Sequence, residues 1–456
     1  MTLPNTPPLL LPPDAPQRLT LHNEVHARPA ARLRMPALIV YVAVLNAGVS
    51  RSQECEHLRR LPGLQNLTEA QMADNFLRMR FDGYTVKWER HTEYTRYSIV
   101  QPLPDEANLA PIDADPLISP ATARATVNLS AQWVVPAEWL SQIPGQTIAA
   151  IQMAMVTAKL DDHAELMTRA QRWFGSKAVL ASQIGSGKSW AVTELLVGND
   201  RFERILVIAD PEISEGRAGR LSHRLLEMET YRLMALRGLT VAKEMSPLLN
   251  EGEKSLSEIT AHLDGKSESD QELLDKLVAL AASVERATAT HGYRFSATRA
   301  YAAIVSTRIA ELREQTIFGV QPIGGYLEHR FSPAIATVVA TEQRLAALSE
   351  RIARASALLR TRVDIVTELQ NKQLLEKLTR GQELQLRLQT TVEGLSIAAI
   401  SYYVVTLLAY VAKALKGLGL PVEPDIAAGV LTPFVLLAVW RGTRYVRNRL
   451  QDPDHP

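Results

Sequence analysis

Apolar and polar positions change rhythm three times along this chain. From about residue 18 to 210 the rhythm is that of strands. "PALIVYVAVL" (36–45) is a compact β-branched run, and "NFLRMRFDGYTVKWERHTEYTRYSIV" (75–100) reads as strands broken at Asp82-Gly83, a hairpin signal. Helical patches such as "CEHLRRL" (55–61) and "DDHAELMTRAQRWFG" (161–175) lie between the strands. The pattern predicts an α+β domain over 18–210.

After Pro211 the period lengthens. "GRAGRLSHRLLEMETYRLMALRGL" (216–239), "DQELLDKLVALAASVERAT" (270–288) and "FSATRAYAAIVSTRIAELREQ" (295–315) place apolar residues three and four apart, with charges on the opposite face. "LDGKSESDQ" is a polar linker, and the helical region is expected to fill 211–333. From Ala334 to Gln389 there is no proline and only Gly381 interrupts. Leu345, Leu348, Ile352, Ala355 and Leu359 make a seam at coiled-coil spacing. A stalk helix over 334–391 would be roughly 80 Å long at 1.5 Å per residue. No tandem repeat is present.

The third rhythm is unbroken apolarity. "LSIAAISYYVVTLLAYVA" (395–412) and "IAAGVLTPFVLLAVW" (426–440) carry no charge. Extended to about 394–415, the first reaches the roughly 20 residues of a spanning helix. The second, about 425–440, is short and needs flanking residues or a locally thin bilayer to cross. Trp440 and Tyr445 suit an interface, so a transmembrane hairpin over 392–441 is preferred to a buried helical pair. Arg441, Arg444, Arg447 and Arg449 make the tail basic (442–456), whereas "KALKGLGLPVEPD" has two lysines and two acids. Tail and amino-terminal body are therefore both expected on the cytoplasmic side.

Composition adds exclusions. A net charge of +1 gives no reason to expect nucleic acid as a partner. Cys55, the single cysteine, rules out an internal disulfide and a thiolate metal site, and fits a reducing compartment. "MTLPNTPPLLLPPDAPQR" reads as a disordered proline-rich leader (1–17), not a secretory signal.

One stretch resembles ready-made chemistry. In "VLASQIGSGKSWAVTELLVG" (179–198), Gly187, Lys188 and Ser189 match the end of a phosphate-binding loop, G-x-x-x-x-G-K-[ST]. Ser182 stands where the first glycine belongs, and "WAVTELLV" suits a strand where the motif needs a helix. The preferred reading is a meander: strand 177–183, turn 185–187, strand 190–197, turn 198–200, strand 204–209. Lys188 is then a solvated turn residue.

"LHNEVHARP" (21–29), "WERHTEY" (88–94), "GRLSHRLLEMETYRLMAL" (219–236), "YRFSATRAY" (293–301) and "LRLQTTVEGLSIAAISYY" (386–403) together resemble a bacterial family of uncharacterised membrane-anchored proteins, the domain of unknown function 3422 family. The resemblance runs from about residue 18 to the second apolar run. It implies a cytoplasmic domain on a carboxyl-terminal anchor in the bacterial inner membrane, with no activity to carry over.

Two of these motifs hold candidate ligands. In an extended "LTLHNEVHARP", His22, Glu24, His26 and Arg28 share a face. Glu89, His91 and Glu93 alternate likewise in "WERHTEY". Such sets can bind a divalent cation or form an acid–base cluster, although a hydrogen-bonded edge strand is the preferred reading. Glu229 and Arg232 read as a one-turn salt bridge. Arg294 and Arg299 can bind phosphate or a base, or simply pack their stems.

The whole plan is similar in outline to magnesium channels of the CorA type, without their glycine-methionine-asparagine signature between the spans. Gln382, Gln385, Gln389 and Glu393 form a polar stripe entering the first span, and Gly394 with Ala398 allows close helix packing. Three functions follow in order of preference: a membrane-anchored oligomeric scaffold or sensor without catalytic residues, a cation channel, and a nucleotide-binding enzyme using 182–189. The lipid bilayer and further copies of the chain are the expected partners, and a divalent cation is the only cofactor chemistry indicated.

Overall fold

The computed structural model describes residues 15–18, 32–103, 133–174, 178–263, 269–418 and 423–450. β1 (Ala37–Leu45) has no polar residue because both its faces are covered. Leu38, Val40, Val42 and Val44 enter one core; Ala37, Ile39, Tyr41 and Ala43 enter another. Around it lie β2 (Phe76–Arg80), β3 (Thr85–Arg90), β4 (Tyr94–Pro102), β5 (Gln146–Thr157), β6 (Leu180–Ile184), β7 (Ser189–Val197), β8 (Glu203–Ala209) and the short β9 (Gln315–Thr316). They form one sheet in the order β2-β3-β4-β1-β5-β8-β7-β6-β9. β5 and β8 pair in parallel and the other neighbours antiparallel. The expected α+β segment is thus an α/β arrangement on a mixed sheet. The parallel pair arises because the chain leaves β5 through a helix and returns only after the β6–β7 hairpin.

The first core lies under α1 (Arg51–Arg59), α2 (Ala137–Ser141) and α3 (His163–Phe174). Leu58, Trp139, Ala170 and Phe174 from these helices belong to it with Trp88, Tyr97 and Trp190 of the sheet. Ser50 and Gln53 close a capping box at the start of α1. The second core is covered by α4 (Glu215–Leu263), α5 (Asp270–Leu312) and the start of α6 (Ile323–Gly417). Ala218, Leu225, Met228, Val305 and Leu327 pack there with Ile39, Met153 and Val207.

The helices run longer than the sequence pattern predicts. α4 continues through Pro247, and α5 joins two expected helices into one. α4 and α5 approach so closely that a Cβ on Gly238 would stand 2.2 Å from Thr298 Oγ1. α6 starts at Ile323, earlier than the expected stalk, because polar groups from elsewhere cap it. Glu314 accepts from the Gly324 N–H (2.8 Å) and from the Ser182 hydroxyl, which itself accepts from the Ile323 N–H (2.9 Å). A carboxylate at that position also complements the helix dipole.

Two compact units divide the chain: Met1–Asp264 with Asp275–Arg354, and Gly265–Leu274 with Ala355–Pro456. Within the first, Arg344 pairs with Glu253 (2.8 Å), and Leu345, Leu348 and Ile352 of the expected seam are buried. In the second, Ala355 and Leu359 are buried, and Arg362 pairs with Asp270 (3.3 Å). α6 continues unbroken through the first apolar run, and α7 (Pro424–Leu450) carries the second. Both are long and apolar enough to cross a membrane, and only 11% and 6% of their most apolar windows are buried.

Candidate functional site

The end of the sheet where β1 stops gathers most of the chemistry. Asn46, the residue after β1, holds the β3–β4 turn. Its backbone N–H donates to the Glu93 carbonyl (3.1 Å), and its amide to the His91 carbonyl (2.9 Å) and Thr95 Oγ1 (3.3 Å). "WERHTEY" is therefore not one strand: β3 ends at Arg90, residues 91–93 turn, and β4 begins at Tyr94. That turn breaks the alternation expected to align Glu89, His91 and Glu93.

The three side chains accordingly take separate partners. Glu89, 1% exposed, receives Arg96 from β4 and Lys87 Nζ (3.0 Å). Burial alone would raise its carboxyl, but Arg96 and Lys87 outweigh that and bring it down to about 2. Arg96 also reaches Glu227 on α4 (3.4 Å), which Arg308 (2.7 Å) and His223 (3.1 Å) approach as well. Glu93 meets Arg294, Arg237 (3.5 Å) and the Tyr301 hydroxyl (2.8 Å). The His91 ring stacks on Tyr94 with centroids 4.4 Å apart. Among the described residues no three His, Cys, Asp or Glu side chains come together to hold a metal. His22, Glu24, His26 and Arg28 lie outside the described residues.

Two cavities flank this turn. One, of about 590 Å³, is lined by Arg51 of α1, Asn75, Arg90 and His91, with Tyr94, Tyr231 of α4 and Tyr301 of α5. The other, of about 560 Å³, is lined by Asn46, Glu93, Gly145, Arg237 and Tyr293 among others. Gly145 is required there: its φ is +120°, and a Cβ would stand 2.5 Å from the Leu45 carbonyl.

Charge in the first cavity is unbalanced. Arg90 pairs with the fully buried Glu54 (2.7 Å) and donates to the Val49 carbonyl (2.8 Å). Arg51 makes one hydrogen bond, from Nη2 to Asn75 Oδ1 (2.7 Å), and its buried Nε has no hydrogen-bond partner. Among the described residues no carboxylate stands within ion-pair distance of Arg51. Burial raises the Tyr94, Tyr231 and Tyr301 hydroxyls, with Glu93 adding to the effect at Tyr301, so all three remain O–H donors near neutrality.

Two more buried carboxyls meet at the β8–α4 contact. Glu229, fully buried, pairs with Arg232 as the helical spacing indicates (2.8 Å). Glu203 of β8 lies beside it, and burial together with the Glu229 carboxylate pushes the Glu203 carboxyl well up.

The glycine-rich stretch is the β6–β7 hairpin turn. Ile184 pairs with Ser189 across it, and Gly185, Ser186 and Gly187 all have left-handed φ (62°, 62° and 83°). Lys188 leads into a strand, and the Ser189 hydroxyl, 1% exposed residue and all, donates to the Lys188 carbonyl (2.7 Å). Neither feature matches a loop that opens a helix and offers a hydroxyl to magnesium. Gln382, Gln385 and Gln389 are exposed along α6, and Glu393 is half-buried.

Sequence reading singled out His91, Glu93 and Arg294. Arg299 instead faces away to Glu342 (2.6 Å). Arg51, Asn75, Arg90, Tyr231 and Arg237 escaped it because no local pattern marks them; only the fold brings them to the turn. Comparison with known proteins adds one match. Neither a curated protein nor a solved structure matches the chain, but the model of a family described as "Protein of unknown function (DUF3422)" matches residues 13–450. With nearly its whole length covered by that match, the chain belongs to the DUF3422 family.

Proposed function

We propose that the protein is a membrane-anchored scaffold or sensor, held in a bacterial inner membrane by α6 and α7, with its body and tail on the cytoplasmic side. The observation that carries this reading is the exposure of the apolar helices. Leu395, Tyr402, Leu407, Phe434 and Leu437 are all more than half exposed, and only 11% and 6% of the two apolar windows are buried. A core helix of a soluble protein would be mostly covered. Hydrocarbon accepts such side chains, and a helix satisfies its own backbone there. Cations sit over aromatic rings near the ends of the apolar runs, Lys413 over Tyr410 (5.9 Å) and Arg444 over Trp440 (5.1 Å). Such pairs suit an interface.

Self-association through α6 belongs to the same reading. Leu374, Leu378, Gly381, Gln385, Leu388, Val392 and Leu395 step by fours and threes, and the five large apolar members are exposed. A second copy would cover that stripe as a coiled-coil seam.

Cell fractionation and cysteine labelling test the anchor. The chain should remain in the membrane pellet after an alkaline carbonate wash. Cys55 is 1% exposed and so stays silent to a membrane-impermeant maleimide. A Glu423→Cys variant should label in cells with a permeabilised outer membrane, and Arg380→Cys only after lysis. Release into the carbonate supernatant overturns the reading.

A further inference from the structure

We propose that the cavity between the β3–β4 turn and the tyrosines of α4 and α5 binds a small organic anion, a phosphate or carboxylate carried on a planar ring, with Arg51 as its cationic anchor. Among the described residues the lining holds the arginines Arg51 and Arg90 and no carboxylate. Glu54 balances Arg90 at 2.7 Å. Arg51 has no such counter-charge among the described residues, so the cavity retains a positive charge on one wall.

Arg51 is also in an unfavourable place without a ligand. It occupies the first turn of α1, where the helix dipole favours anions over cations. An oxyanion in the cavity relieves both the missing counter-ion and the dipole conflict.

The anchor is preorganised. Asn75, which holds the guanidinium, has a left-handed φ of 57°. Its N–H donates to the Met72 carbonyl (3.1 Å), and its carbonyl accepts from the Arg90 N–H (2.9 Å). Less ordering then remains for a ligand to impose, which favours affinity.

The opposite walls are aromatic. Tyr231 and Tyr301 stack with centroids 5.6 Å apart, Tyr94 meets Tyr231 edge-on at 6.1 Å, and His91 lies against Tyr94. Flat rings receive a planar body by offset stacking. A volume of about 590 Å³ is in the range of small-molecule sites.

The test is calorimetric titration of the detergent-solubilised full chain with phenyl phosphate, benzoate and neutral phenol. This assay is separate from membrane attachment, so either conclusion can fail without the other. Phenyl phosphate or benzoate should bind at one site per chain, with phenol at least tenfold weaker. Arg51→Gln should weaken the anion roughly ten- to hundredfold, as loss of one charged hydrogen-bonding partner does. Arg51→Lys should recover part of that loss. Arg299→Gln, at the exposed arginine paired with Glu342, should change nothing. The ligand-free Tm of Arg51→Gln should equal or exceed that of the unaltered chain, because the arginine serves a ligand and not the fold. No anion binding, equal binding by Arg51→Gln, phenol binding as tightly as phenyl phosphate, or a marked fall in the ligand-free Tm of Arg51→Gln each overturns the proposal.

Discussion

Two buried groups make the stability of the α/β body depend on pH in opposite directions. His57 of α1 is 3% exposed, and neither of its ring nitrogens has a hydrogen-bond partner. Its ring stacks on Trp139 at 4.3 Å and meets Tyr97 edge-on at 5.9 Å. Burial, with Arg60 nearby, brings its pKa down to about 4. Between pH 6.5 and 4.5 the unfolded chain therefore takes up a proton on His57 that the folded chain refuses. Unfolding free energy from this residue falls as pH falls, by about 2 kcal/mol over that window when the two titration curves are integrated. Glu203 works the other way. Its carboxyl stays protonated in the fold above the usual carboxylate range, so its contribution falls as pH rises through the same window. The intact protein should consequently show a shallow profile, and each variant should expose the other slope.

The experiment is guanidinium unfolding of the full chain in detergent at pH 4.5, 5.5 and 6.5, followed by tryptophan fluorescence. Five of the six tryptophans (88, 133, 139, 173 and 190) lie in the body, so the signal reports on it. His57→Phe keeps an aromatic ring against Trp139 and removes the titration. Its stability relative to the unaltered chain should improve by about 2 kcal/mol between pH 6.5 and 4.5, whatever constant offset repacking adds. Glu203→Gln should steepen the loss of stability on acidification. A His57→Phe difference that is independent of pH would refute the reasoning.

Three further outcomes are expected. Gly238→Ala drives a Cβ into Thr298 and should cost about 1–3 kcal/mol by thermal unfolding, recovered in part when Thr298→Ala is added. Glu314→Ala removes the acceptor of the Gly324 N–H and of the Ser182 hydroxyl, and should cost about 1–2 kcal/mol in the same assay. Lys188→Ala alters a turn residue before a strand, so stability should stay within about 0.5 kcal/mol and any retention of ATP on equilibrium dialysis should be unchanged. ATP retention lost in that variant would reopen the nucleotide reading.

Much of the fold was legible because burial writes a period into the chain. The run at 36–45 is β1, and the turn signal at Asp82-Gly83 separates β2 from β3. The meander around Lys188 appears as β6, β7 and β8, with ends shifted by up to three residues. Leu345, Leu348 and Ile352 are buried, as amphipathic spacing requires. Helix ends were less legible. α6 begins at Ile323 because Ser182 and Glu314 cap it, and Ser182 is 141 residues away in sequence.

The candidate site was legible only in fragments. "WERHTEY" attracted notice as alternating ligands, yet Asn46, on another strand's end, turns the chain at His91 and sends Glu89 and Glu93 to different arginines. Arg294 reaches Glu93 across 201 residues, and no periodicity encodes such a pairing. Arg51 is the clearest case. In the sequence it is one arginine after a serine; in the fold it is a cation in a helix's first turn, bonded to an asparagine and, among the described residues, with no carboxylate in ion-pair reach.

By itself the sequence determined what depends on neighbours along the chain: the β-branched run of β1, the hairpin turns, the amphipathic helices and the two apolar runs. Tertiary structure alone decided the parallel β5–β8 pair, the separation of Glu89 from Glu93, and the unbalanced charge at Arg51. Local periodicity records how much of each residue is covered, whereas charge pairing depends on which distant residue does the covering.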